Sequence, residues 1–218
     1  METLNLSDPL LLIGGLIFLS LAPFAAMMVT SFIKLTVVLQ LVRNAMGVQN
    51  IPPNMVINGL AIVLSFYVMA PVAYEMIDIV HAVNPDIKDF RALVEALEQA
   101  REPLRDFLLK HSAPRERAFF FNAAQSVWPA EQLGKLGEND FVLLVPAFTV
   151  TELTTAFQVG FLLYLPFVAI DLIVSNILLA LGMMMVSPMT ISLPFKLLLF
   201  VLVEGWARVI HGLVLSYA

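Results

Sequence analysis

Glu152, Asp171 and Lys196 stand out because each places a charge in otherwise apolar sequence. An ionisable side chain inside an apolar helix is costly, so it marks either a partner or a task. Glu152 and Asp171 are 19 residues apart, about 28 Å along an unbroken helix. They form an acid–base pair only if the chain folds back at Pro166. Lys196 follows a turn at Pro188 and can meet either carboxylate across a hairpin. Two chemistries fit these residues: a structural ion pair locking helices or subunits together, or a proton relay. In an apolar site pairing costs less than leaving either charge alone.

The second feature is the run Met183-Met184-Met185, with Met189 one turn on. Thioether side chains are flexible and fill irregular apolar gaps. Repeated around a symmetry axis, the Gly182–Pro188 turn would form a compressible apolar plug; in a single chain the same residues are ordinary packing against lipid or core. Copper(I) binding is the metal alternative, but no Cys or His lies close by. His81, His111 and His211 are scattered without metal-ligand spacing. No nucleophile elbow, zinc-protease motif, phosphate loop or dinucleotide fingerprint occurs. The residues therefore point to no enzyme, cofactor or metal.

The elements that must hold these residues are membrane-like. Of 218 residues, 60% are hydrophobic and 13% charged, against about 45–50% and about 25% in soluble domains. Lipid or other apolar subunits must cover that surface, because a fold of this size cannot bury it. A net charge of −5, with no basic run, excludes a nucleic-acid footprint. The absence of cysteine removes disulfides and thiolate chemistry. Between Glu75 and Asp140 lie 20 of the 29 charges. Three segments follow: an apolar helical hairpin over 1–74, a hydrophilic helical domain over 75–140, and a second apolar hairpin over 141–218.

Leu10 to Ile33 is uncharged and long enough to span a bilayer, with a kink expected at Pro23. Lys34 and Arg43 then fall on a loop closed by Pro52 and Pro53, and Met55 to Tyr74 forms a second span. In the middle segment Phe90, Leu93, Val94, Leu97, Leu104 and Leu108 recur at helical spacing. That spacing gaps at Arg101, and Pro103 should bend the helix. Phe141–Val186 reads either as two helical pieces meeting near Pro166 or as one long bent helix; Met189 to Leu215 returns. Counting Lys34, Arg43 and Lys196 as cytoplasmic loop charges puts both termini and the hydrophilic domain outside the cytoplasm. The N-terminus lacks a basic leader region, so no cleavage is expected.

The run Pro146-Ala147-Phe148-Thr149-Val150-Thr151-Glu152-Leu153-Thr154-Thr155-Ala156-Phe157-Gln158-Val159-Gly160-Phe161 resembles the signature of the FliP/SctR family, export-apparatus proteins of flagella and type III injectisomes. So do Leu181-Gly182-Met183-Met184-Met185, Ile191-Ser192-Leu193-Pro194-Phe195-Lys196 and Arg43-Asn44-Ala45-Met46-Gly47-Val48-Gln49. Val159 and Glu204 are mild departures from the family pattern, and the short acidic N-terminus is similar to the injectisome branch. The resemblance implies an all-α integral membrane protein of the bacterial inner membrane. It implies five copies joined by one related larger subunit and several small two-helix subunits in a helical, cone-like gate that passes unfolded secreted proteins. It implies too that the hairpins sit largely above the membrane plane, with the hydrophilic domain periplasmic. Met183, Met184 and Met185 would be the pore gasket, Glu152 and Lys196 inter-subunit or inter-helix contacts, and Gly182, Pro188 and Pro166 its turn and hinge. The alternative is a small-solute or ion transporter working through Glu152 and Asp171. It calls for internal inverted repeats, and none is visible.

Overall fold

The computed structural model describes residues 9–48, 50–85, 90–134 and 136–218. The acidic tail and the expected absence of a leader concern residues outside that set. Every regular element among the described residues is a helix, so the chain is an all-α membrane protein with two helices long and apolar enough to cross a bilayer, or up to four if each bent pair is one span.

Helix α1 (Pro9–Met28) contains Pro23, yet the sharp turn comes later. The 67° bend falls between Leu19–Met28 and α2 (Phe32–Ala45). The break moves Lys34 and Arg43 off the expected loop and onto α2, where both are buried on one stripe with Leu35, Val38, Leu39 and Val42. The i, i+4 repeat of that stripe explains the result: it is the inward face of a helix, and the two cations share it. Both cations counted as loop charges are thus buried helix residues.

Helix α3 (Asn54–Val83) runs 30 residues through Pro71 and past residues 74 and 75. Left-handed Asn84 caps it. In the hydrophilic segment α4 (Phe90–Ala100) and α5 (Glu102–His111) meet at Arg101, where the apolar spacing gapped. Pro103 sits in the first turn of α5, where its missing N–H costs nothing. Helices α6 (Pro114–Val127) and α7 (Ala130–Leu133) complete this segment.

The longest element is α8 (Phe141–Ala180), 40 residues that pass through Pro146 and Pro166 without ending. Of the two readings of this stretch, the structure adopts the single helix. At 1.5 Å per residue it is about 60 Å long, twice the roughly 30 Å hydrocarbon core. It packs most heavily on α2. Lys34 meets Glu152 near one end of α2, and Gly160 faces Leu41 further along, so the two helices run side by side in the same direction. A Cβ on Gly160 would lie 2.3 Å from Leu41 Cδ1, so any larger residue there would force Leu41 to shift. The core where they meet gathers Leu35, Leu39, Ile57, Ala156, Phe167 and Phe200.

The return limb is broken as well. Helix α9 (Pro188–Leu202) and α10 (Gly205–Leu215) meet at a 57° elbow, not in one helix to Leu215. Glu204 holds the elbow at φ +53, and Gly205 lies so close to the Phe200 ring that a Cβ would approach it to 2.2 Å.

Candidate functional site

Helices α8 and α9 form a hairpin whose tip carries the methionines. Gly182 ends α8 at φ +71, a conformation open to glycine and strained for other residues. The Gly182 N–H donates to Leu179 O and the Met183 N–H to Leu178 O, at 3.1 and 2.9 Å. This pair of bonds is the Schellman arrangement, which satisfies the last carbonyls of a helix and reverses the chain. Pro188 opens α9 at its first position, with φ already suited to a helix. The turn is thus held by backbone bonds and two special residues, while the methionine side chains stay uncommitted. Met183 is 44% exposed, Met184 81% and Met185 102%; Met189 is also exposed.

Below the tip a polar cluster ties the limbs together. Lys196 Nζ lies 2.6 Å from Asp171 Oδ2, and Ser192 donates to Asp171 Oδ1 at 2.6 Å. Lys196 also donates to Ala45 O at 3.5 Å, which brings the end of α2 to the same point. Lys196 could have met either carboxylate; it meets Asp171.

Glu152 has a different partner. Lys34 Nζ approaches Glu152 Oε1 at 3.2 Å, and Tyr217 donates its hydroxyl hydrogen to Glu152 Oε2. The Lys34 ammonium also sits 3.6 Å from the centre of the Tyr217 ring, a cation–π contact strengthened by the dry surroundings. Lys34 is 4% exposed and Glu152 2%. Both carboxylate oxygens of Glu152 are therefore engaged. Arg43, the third buried cation, donates to Pro52 O at 3.2 Å and to Asn54 Oδ1 at 2.6 Å, pinning the loop between α2 and α3.

Sequence reasoning singled out Glu152, Asp171, Lys196 and the methionines but missed Lys34, Ser192 and Tyr217 as partners. The signal for Lys34 was present: it shares helical spacing with Val38, Leu41 and Val42, a stripe that would not hold a loop residue. For Tyr217 no signal existed, because its contacts come from helices over 60 residues away. Among the described residues no cluster of three metal-ligating side chains occurs.

The hydrophilic segment joins the apolar helices at a second core of Phe107, Leu108, Leu144, Phe148 and Tyr217. His111 lies over Phe107 and against Tyr217, with ring centres 4.7 and 5.1 Å away. Burial, helped by the nearby Lys110 and Lys34 charges, pushes its imidazole down to about 4. A group depressed from 6.5 to about 4 favours the folded state only while neutral. Its contribution is complete above about pH 6.5 and is lost as pH falls toward 4. Thermal unfolding in detergent should show this acid limb, and His111→Phe should flatten it.

The FliP family profile matches residues 16–213. The chain belongs to the FliP family. This FliP-family chain is 51% identical over 214 residues to Yop proteins translocation protein R of Yersinia pestis, covering 98% of this chain and 99% of that protein. It is 50% identical over 201 residues to hypersensitivity response secretion protein HrcR of Ralstonia nicotianae, with 91% and 93% covered. It is 48% identical over 211 residues to virulence protein YscR of Salmonella typhimurium, with 97% and 98% covered. The expected injectisome branch of the FliP family agrees with these relatives.

Proposed function

We propose that this chain is a pore-forming core subunit of a type III secretion export gate in the bacterial inner membrane, conducting unfolded proteins, with Met183, Met184 and Met185 sealing the resting channel. The observation that carries the reading is the methionine turn. Three long apolar side chains project, uncommitted, from a hairpin tip whose backbone is held by Gly182, Pro188 and the Asp171–Lys196–Ser192 cluster. A tip that is rigid in backbone and soft in side chain suits a seal that must close around nothing and part around a chain.

Family membership and the relatives' names, which speak of translocation and secretion, support the export role. The exposed apolar side chains on α3 and α8, among them Phe66, Tyr67, Phe157, Phe161 and Leu162, support assembly. So much surface calls for lipid or neighbouring subunits. Further copies of this chain, as a homopentamer, one related larger subunit and several small two-helix subunits supply that cover. Helix α8, at about twice the hydrocarbon thickness, suits a hairpin standing partly above the membrane plane and bending at Pro166, with the hydrophilic segment periplasmic.

A transporter working through Glu152 and Asp171 finds less support. Glu152 is buried between Lys34 and Tyr217, and Asp171 is held by Lys196 and Ser192. The deciding measurement is the native mass of the detergent-extracted complex, alone and co-expressed with its neighbouring membrane genes. Five times 24.1 kDa, about 120 kDa, growing as the small subunits join, is the expected result. A monomer or dimer under both conditions would overturn the proposal.

A further inference from the structure

We propose that α10 and Tyr217 form a strap that closes the return limb onto the α2–α8 pair, with Tyr217 as its latch and Glu204 as its hinge. The inference is independent of the export role.

The hinge is strained. Glu204 sits at φ +53, ψ +44, the left-handed region that residues with a Cβ rarely occupy. Such a conformation persists only where surrounding contacts hold it. The neighbouring Gly205 is needed to seat the elbow against Phe200, which itself packs on Trp206 edge-to-face at 5.3 Å.

Between hinge and latch the strap rests on the core along one face only, with Trp206 and Ile210 packed beside its buried residues. Gly205, Val209 and Leu213 are its buried residues, while Ala207, Arg208, His211 and Leu215 are exposed. The far end is gripped. Tyr217 inserts among Phe107, His111 and Phe148, stacking on Phe107 with ring centres 6.1 Å apart. Its hydroxyl donates to Glu152 and its ring lies under Lys34.

The latch therefore joins three bodies: α5 of the hydrophilic segment, the Lys34–Glu152 pair between α2 and α8, and the limb that carries Lys196. Closed, it ties helix α5 to the return side of the methionine hairpin. Released at Tyr217, α10 is held by its core face alone and can swing about Glu204, which can then leave its strained conformation.

The chain has no cysteine, so single cysteines report opening cleanly. Val209→Cys reads the strap, and Ala61→Cys, fully buried on α3, reads the core. Maleimide labelling is followed in the full chain, in membranes, with Tyr217 intact or replaced by Phe. Tyr217→Phe removes only the hydroxyl. It should speed labelling at Val209→Cys by roughly tenfold, the factor expected for losing a hydrogen bond to a charged group, and leave Ala61→Cys unchanged. Equal acceleration at both sites would make Tyr217 a general contributor to stability and overturn the strap. No acceleration at either site would show that Tyr217 does not hold the limb, and would also overturn it.

Discussion

Glu152→Ala should destabilise the folded chain by about 3–5 kcal/mol, the cost of leaving one member of a buried ion pair uncompensated. Lys34 would be left at 4% exposure without its counter-ion, with the Tyr217 ring as its one remaining partner among those described. Tyr217 would lose its acceptor at the same stroke. The loss is one of burial rather than of attraction, and a second variant separates the two. In Lys34→Met with Glu152→Gln the charge is removed from both sides, and the amide oxygen still accepts from Tyr217. That double variant should recover most of the lost stability, because replacing a buried pair as a whole is often neutral. Unfolding in detergent, followed by helical signal against denaturant, measures both. A single variant within about 0.5 kcal/mol of the parent, the range of ordinary surface substitutions, would remove the structural role assigned to Glu152.

Replacing Met183, Met184 and Met185 together by alanine should raise ion leak through the assembled complex while assembly itself is unchanged. The reason assembly survives is local. The turn rests on the Gly182 and Met183 backbone bonds, on the left-handed Gly182 and on Pro188, none of which the substitution touches. The reason the seal fails is volume: three flexible side chains become three methyl groups in every copy, and an apolar constriction wide enough to wet no longer excludes ions. Conductance of vesicles carrying the complex, or ion sensitivity of cells producing it, gives the readout. Leak equal to that of the parent would end the gasket assignment and leave the methionines as packing against lipid or neighbouring chains.

How much of this was legible beforehand divides along the range of the interactions. The alternation of apolar and charged segments, the helical spacing of Leu93, Leu97, Leu104 and Leu108, the gap at Arg101 and the turn before Pro188 are local patterns, and all appear in the fold. The family signature around Glu152 and the methionines is local too. Three features were read wrongly because their causes are not local. The single span expected over Leu10 to Ile33 breaks at residues 29–31, past the proline that is the visible breaker, because the packing of α2 against α8 is not visible in the sequence. Lys34 and Arg43 read as loop residues because a cation in apolar sequence normally leaves the bilayer; in the fold Glu152 meets one, and Pro52 and Asn54 meet the other. The elbow at Glu204 carries no sequence mark except the glycine after it.

Composition and periodicity alone therefore determined that the chain is a helical membrane protein with a charged middle and an apolar, methionine-tipped hairpin. Hydropathy and helical spacing act over a few residues, so they can be read in one dimension. Only the tertiary structure decided which charge meets which. Lys34 finds Glu152 across 118 positions and Tyr217 finds it across 65, because burial makes an unpaired charge too costly to leave and the packing of α2 along α8 brings the two helices together.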